Sequence, residues 1–206
     1  MPEFLTLLAF VPAALALNLT PGADMMFCLG QGLNGGPRAA LAADFGIAVG
    51  AMVHVAIAGV GLGALVASSP WLFDVIRWVG VGYLLWLAYG ALRNPVGAIT
   101  TKKSDPTRAF RQGLLVNLTN PKVILFVLAF IPQFVDPARG PIMTQFLLFG
   151  LILSVGGLLV NGAVGVFAGS LGRGLAKSPG FGKTISYVSA SIFVAIAARL
   201  ALAERS

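Results

Sequence analysis

Asn18-Leu19-Thr20-Pro21-Gly22-Ala23-Asp24 interrupts an apolar N-terminal segment, and most of it recurs as Asn117-Leu118-Thr119-Asn120-Pro121-Lys122. In both stretches Asn-Leu-Thr precedes a proline, and an apolar run follows. Proline removes a backbone donor and clashes with the preceding turn, so each copy breaks or kinks a helix. Backbone freed by a break inside a membrane has to be buried in protein or face a watery cavity. Two matching breaks in the two halves of a chain point to the binding site of a transporter.

The surrounding composition places these breaks in a membrane. Of the 206 residues 57% are hydrophobic and only 10% charged, with a mean hydropathy of +0.89. A soluble domain carries roughly 25% charged residues, so this chain cannot cover itself with a polar surface. At about 20 apolar residues per span, it has room for five or six helices and no soluble domain. The net charge of +7 does not imply nucleic acid, because such binding needs a basic patch on a polar surface. A single cysteine, Cys28, forbids an internal disulfide and any CxxC redox or zinc site. Met1-Pro2-Glu3 lacks the basic start of a signal peptide, so residues 4–17 read as a retained span even though Ala14-Leu15-Ala16 has the form of a cleavage site.

Six segments follow along the chain. The first runs over 4–33 and is broken at 18–22; the second covers 39–67, with Asp44 and His54 inside it. Its Gly46xxxGly50 and Gly59xxxGly63 pairs admit a closely packed neighbour. The third spans 71–92, where Asp74 and Arg77 share a face and Trp78, Tyr83, Trp86 and Tyr89 serve as belt and packing groups. Residues 94–109 form a basic loop, the fourth segment (110–134) carries the second break, the fifth covers 142–171 with Asn161 and Gly165xxxGly169, and the sixth covers 185–202. Arg38, then Arg93, Lys102, Lys103, Arg108 and Arg111, then Arg173, Lys177 and Lys183 fall on one side, against Arg139, Arg199 and Arg205 on the other. The positive-inside rule puts the first set in the cytoplasm and both termini outside.

With breaks in segments one and four, the expected fold is an all-α membrane protein. Its six transmembrane helices form a 3+3 inverted repeat in one domain: repeat one at 1–93, the cytoplasmic loop at 94–109, repeat two at 110–206. An odd number of helices per repeat gives the copies opposite orientations, so the two breaks meet near the midplane.

The candidate substrate site is therefore Asn18, Thr20, Pro21, Gly22 and Asp24 with Asn117, Thr119, Asn120, Pro121 and Lys122. Half-helix N-termini there offer unpaired amides and a positive dipole to an anion. Lys122 sits against that dipole and inside an apolar segment, two penalties that call for a partner or a task. It either attracts a substrate carboxylate or pairs with Asp24. Asp24 either caps its own half-helix, binds an ammonium group or carries a proton. His54, the only histidine, is either a proton relay or a neutral hydrogen-bonding group between helices. Asp44 is expected near an interface and solvated. No metal cluster, nucleotide-binding motif or catalytic triad assembles, so neither an enzyme nor a cofactor is expected, and transport would draw on an ion or substrate gradient. An exporter of metal or another small ion and a non-transporting scaffold are the alternatives; the first would need more inward acids or soft ligands, and the second leaves the duplicated break unexplained.

At these residues the chain resembles the LysE/RhtB family of bacterial amino-acid exporters, of homoserine, threonine, leucine and lysine efflux type. The resemblance covers nearly the whole chain and rests on Asn18–Asp24, the Gly-rich second segment, Val79-Gly80-Val81-Gly82-Tyr83-Leu84 through Ala91-Leu92-Arg93, and most specifically on Phe110–Phe134. The family's TPGPD reads here as Thr20-Pro21-Gly22-Ala23-Asp24, with Ala23 in place of a second proline. The resemblance implies a bacterial inner-membrane exporter of neutral or cationic amino acids, coupled to proton influx, with the amino acid, protons, lipid and a homo-oligomeric partner as its interactors. Paired half-helix ends would suit a carboxylate and Asp24 an ammonium, with the repeats rocking about a site that binds a zwitterion or protons in turn.

Overall fold

A computed structural model describes residues 2–68, 70–93 and 105–168, together with the helical positions 187, 190, 191, 194, 195, 197, 198 and 201. Among these residues there are helices and no strands. The elements are α1 (Phe4–Leu19), α2 (Ala23–Gly35), α3 (Pro37–Ser68), α4 (Pro70–Arg93), α5 (Pro106–Leu118), α6 (Pro121–Ala129), 3-10 turns at Ile131–Phe134 and Pro137–Arg139, and α7 (Ile142–Phe167). The sixth expected segment lies mostly outside the described residues, as do Gly169 and the Asp74 and Arg77 side chains.

Both breaks are present. α1 and α2 meet at a bend of 55°, and α5 and the stretch Pro121–Phe134 at 54°. α3 over Pro37–Gly61 and α7 are each long and apolar enough to cross a membrane, and each bent pair is a further span if it crosses as one. α5 begins earlier than the expected segment. Pro106 occupies its first turn, where a missing N–H is harmless, and Asp105 caps it by accepting from the Arg108 amide at 3.0 Å. Between α2 and α3 the chain reverses at Gly36, whose φ of 79° suits a residue without Cβ.

The helices are apolar outward as well as inward. On α3, Phe45, Val49, Val53, Ile57 and Val60 are exposed along one face, while Ala43, Ile47, Ala51, Val55 and Ala58 are buried on the other. Leu147, Leu151, Val155 and Leu159 repeat the pattern on α7. Such exposed stripes face lipid, and the chain is a multi-pass membrane protein. Trp78, Trp86 and Tyr89 of α4 are likewise exposed, with Tyr83 stacked on Trp86 at 5.4 Å.

Lipid tails are as apolar as the side chains, so burial alone does not drive helix association here; close backbone approach does. α3 is central and packs most extensively on α5 and α7. A Cβ added at Gly46 would strike the Phe110 carbonyl of α5, and one at Gly113 would strike the Ala43 carbonyl of α3. Gly50 faces the Asn117 side chain, and Gly59 lies against Met143 and Phe146 of α7. A second seam joins α2 to α7, where Gly32 abuts the Gly165 carbonyl and Gly165 lies against Cys28 and Ala40. Near the N-terminal end of α1, Phe10 is surrounded by Phe126, Phe130, Phe134 and Phe149 at centroid distances of 4.9–6.4 Å. Arg139 ties Glu3 to Asp136 at that end, and these hydrogen bonds, first the one it donates to Glu3, hold its guanidinium above its ordinary pKa.

Glycine-to-alanine changes should divide by location. Gly46→Ala and Gly113→Ala force backbones apart and should lower stability by about 1–3 kcal/mol, as overpacking does. Gly61→Ala, whose Cβ meets nothing within 4 Å, should be neutral or stabilising by up to about 1 kcal/mol. Thermal unfolding of the detergent-solubilised protein reads both, and equal effects at the three positions would refute the seam.

Candidate functional site

The two prolines determine what the breaks require. In a continuous helix the carbonyl of residue i accepts from the amide of i+4. Pro21 stands four after Leu17 and Pro121 four after Asn117, so both carbonyls lose their donor. Each is served from the opposite break or a neighbouring helix. Lys122 Nζ donates to the Leu17 carbonyl at 3.1 Å and to the Thr20 carbonyl at 3.0 Å. His54 Nε2 lies 3.2 Å from the Asn117 carbonyl; because a carbonyl only accepts, Nε2 carries the hydrogen. The Asn117 carbonyl also accepts from the Asn120 amide at 2.9 Å.

Side chains complete the linkage. Asn117 Nδ2 donates to Asp24 Oδ2 at 3.0 Å, directly joining the second break to the first. Asn18 Nδ2 donates to the Leu153 carbonyl of α7 at 3.0 Å. Thr20 and Thr119 hold equivalent places in the two motifs, and each hydroxyl turns back to the carbonyl four residues earlier, Ala16 at 2.7 Å and Leu115 at 2.8 Å. Asn120 caps α6 by accepting from the Lys122 amide at 3.0 Å, whereas no side chain caps α2. The Lys122 ammonium lies over Gly22, where an added Cβ would be 3.0 Å from Nζ.

A cavity of about 30 Å³, measured as space for the centre of a water-sized sphere, opens beside these contacts. Asn18 and Asp24 from the first break and Asn117 from the second line it. Thr20, Asn120 and Lys122 are buried, Pro21 and Gly22 half-buried, and Thr119 and Pro121 exposed; none of these lines the cavity. The remaining walls come from α3, through Asp44, Ile47, Ala48 and Ala51, from α7, through Leu153, Ser154, Gly157, Leu158 and Asn161, and from Leu17 of α1 and Val123 of α6. The α3 residues follow the spacing i, i+3, i+4, i+7, and the α7 residues likewise share a single face.

Asp44 therefore corrects the expectation of a solvated residue near an interface. α3 starts at Pro37, which puts Asp44 about two turns inside the helix, and its face is turned to α2 and α7. It is 1% exposed. Ser154 and Asn161 were not assigned to the site by motif; the available signal was one polar face on an otherwise apolar segment. Among the described residues, no group of three His, Cys, Asp or Glu side chains gathers to hold a metal ion.

A family model for the LysE type translocator matches residues 15–204. The chain belongs to that family. It is 35% identical over 200 residues to an uncharacterized membrane protein of Vibrio cholerae, covering 96% of the chain and 97% of the relative. It is 32% identical over 202 residues to a homoserine/homoserine lactone efflux protein of Salmonella typhimurium, with 96% and 97% covered. A leucine efflux protein of Enterobacter sp. is 29% identical over 197 residues, with 93% of each chain covered. No solved structure matches the chain.

Lys122→Met should destabilise the protein, because each buried acceptor left unpaired costs about 1–3 kcal/mol. Asn120→Ala, which removes only a helix cap, should cost about 1 kcal/mol. Thermal unfolding in detergent measures both; Lys122→Met unfolding no earlier than Asn120→Ala would show that the ammonium does not secure the first break.

Proposed function

We propose that this protein exports amino acids or close derivatives from the cytoplasm in exchange for protons, by alternating access at the cavity between the breaks. The observation that carries the reading is the cross-linking of the breaks, with the second donating to the first from Asn117 to Asp24 and from Lys122 to Leu17 and Thr20. Irregular backbone at membrane depth, cross-linked in this way, is how discontinuous helices frame a transport site. Relatives described as efflux proteins for homoserine, homoserine lactone and leucine support an amino-acid cargo.

In this reading the chain lies in the bacterial inner membrane with its termini outside, as six helices in a 3+3 inverted repeat. Similar bends of 55° and 54°, the paired threonine contacts, and two prolines that each orphan a carbonyl support the internal repeat. The substrate carboxylate is received at the uncapped start of α2, beside the Lys122 ammonium over Gly22. Asp24 faces the ammonium group. Asp24 and His54 both engage Asn117, one through its amide and the other through its carbonyl, which couples a proton on either to the geometry of the second break.

The cavity is far smaller than the roughly 300–1,000 Å³ of sites that enclose small organic ligands. Admission of an amino acid therefore requires the helices to part on one side at a time. Everted membrane vesicles test the proposal: with an acid-inside gradient and a mixture of amino acids, one or a few should accumulate, read by mass spectrometry. Lys122→Ala and Asp24→Ala should each reduce accumulation at least tenfold while still inserting in the membrane. Normal transport by both variants would remove these residues from the site, and no uptake of any amino acid by the folded wild type would remove the cargo.

A further inference from the structure

The wall formed by α3 and α7 carries polar atoms that the breaks do not use. Both carboxylate oxygens of Asp44, Oδ1 of Asp24 and Oγ of Ser154 are buried without a hydrogen-bond partner. Asp44, Asp24 and Ser154 are 1%, 6% and 6% exposed, and all three line the same cavity. Nearby donors are largely committed: the Asn117 amide to Asp24, the Asn18 amide to the Leu153 carbonyl. Asn161 is turned toward Asp44, yet neither Asp44 oxygen reaches hydrogen-bond geometry with a protein donor. Gly162 gives the carboxylate its place, since a Cβ there would lie 2.9 Å from Asp44 Oδ2.

Buried carboxylate oxygens demand a cation or donors, and two carboxylates on one small cavity demand it more strongly. The ligand is defined by that surplus of acceptors. The cavity has space for about two waters, at ~10–15 Å³ each on this measure, so it accepts a small head group and not a whole amino acid. A primary ammonium supplies three donors and one positive charge, matching carboxylate oxygens on two walls and a hydroxyl on the third. We propose that Asp44, with Asp24 and Ser154, binds the primary ammonium group of the substrate, so that only solutes with a free amine are exported. This rests on the efflux reading above for its cargo, but the ammonium site stands on its own geometry. It adds the α3–α7 wall to the site and makes Asp44 a binding residue equal in importance to Asp24.

Two measurements on the full chain separate the site from the cargo. In the first, the purified protein in lipid nanodiscs is titrated with methylammonium chloride, with tetramethylammonium chloride and sodium chloride at the same ionic strength as controls, and thermal unfolding is followed. Methylammonium should raise the unfolding temperature beyond either control. Asp44→Asn, which keeps the shape and removes the charge, should weaken the response at least tenfold; Ser154→Ala should weaken it about threefold, and Asp44→Glu should retain part of it. A response equal to that of the controls, or unchanged in Asp44→Asn, overturns the ammonium site whatever the transport result. In the second, vesicles are offered each amino acid beside its N-acetyl derivative. Export of the free amine alone supports the proposal, and equal export of the N-acetyl derivative overturns it. If methylammonium binds through Asp44 but no amino acid moves, the site is upheld and the amino-acid cargo is the part that fails.

Discussion

The constraint on which the structure depends is that a carbonyl freed inside an apolar phase must find a donor. Pro21 and Pro121 each orphan one, at Leu17 and Asn117. Lys122, from the other break, donates to the first, and His54, from α3, joins the Asn120 amide at the second. These two side chains looked anomalous in the sequence, a cation against a helix dipole and a lone histidine among alanines and valines. Their placement follows from the prolines: each serves a backbone atom that a regular helix would have satisfied itself. The break on one half of the chain is thus completed by a residue numbered in the other, which binds the folding of the site to the folding of the whole.

The same wiring shapes the chemistry. Lys122 is engaged by the Leu17 and Thr20 carbonyls and Asp24 by the Asn117 amide, so each charged group at the centre takes neutral hydrogen-bond partners. The result is a polar centre with two characters, an ammonium and an uncapped helix start over Gly22, and unpartnered carboxylate oxygens facing the cavity. A zwitterion has the same division of charge. An apolar surround strengthens both poles, because little solvent is present to screen them.

Much of this was legible in the sequence, and the reason is local. Proline breaks, glycine faces and apolar runs act through near neighbours, so the bends at 18–22 and 117–121 and the close contacts of Gly46, Gly50 and Gly59 could be read from residue type and spacing. The boundary at Pro106 was missed because the preceding polar loop masked the Asp105 cap, although Asp-Pro at a helix start is itself a local signal. Asp44 was misplaced for a different reason. Its environment depends on which face of α3 meets α2 and α7, and ordinary hydrophobic periodicity fails where both faces are apolar. Ser154 and Asn161 were overlooked on the same account: a serine or asparagine in an apolar helix declares a site only once its face is known.

The glycine seams have a mechanical meaning. Helices in contact through side chains can slide, since rotamers readjust, but backbone in contact with backbone has no such slack. α3 with α5, through Gly46 and Gly113, and α2 with α7, through Gly32 and Gly165, each behave as one stiff plate. The first plate crosses the boundary between the two halves of the chain, so the halves cannot simply tilt as independent blocks. α1 and α6 belong to neither plate; each ends at a proline break, and the two are joined to each other by the rings around Phe10. Stiffness and interruption are thus kept apart in the molecule: these backbone contacts lie on α2, α3, α5 and α7, and α1 and α6, each bounded by a proline break, take no part in them.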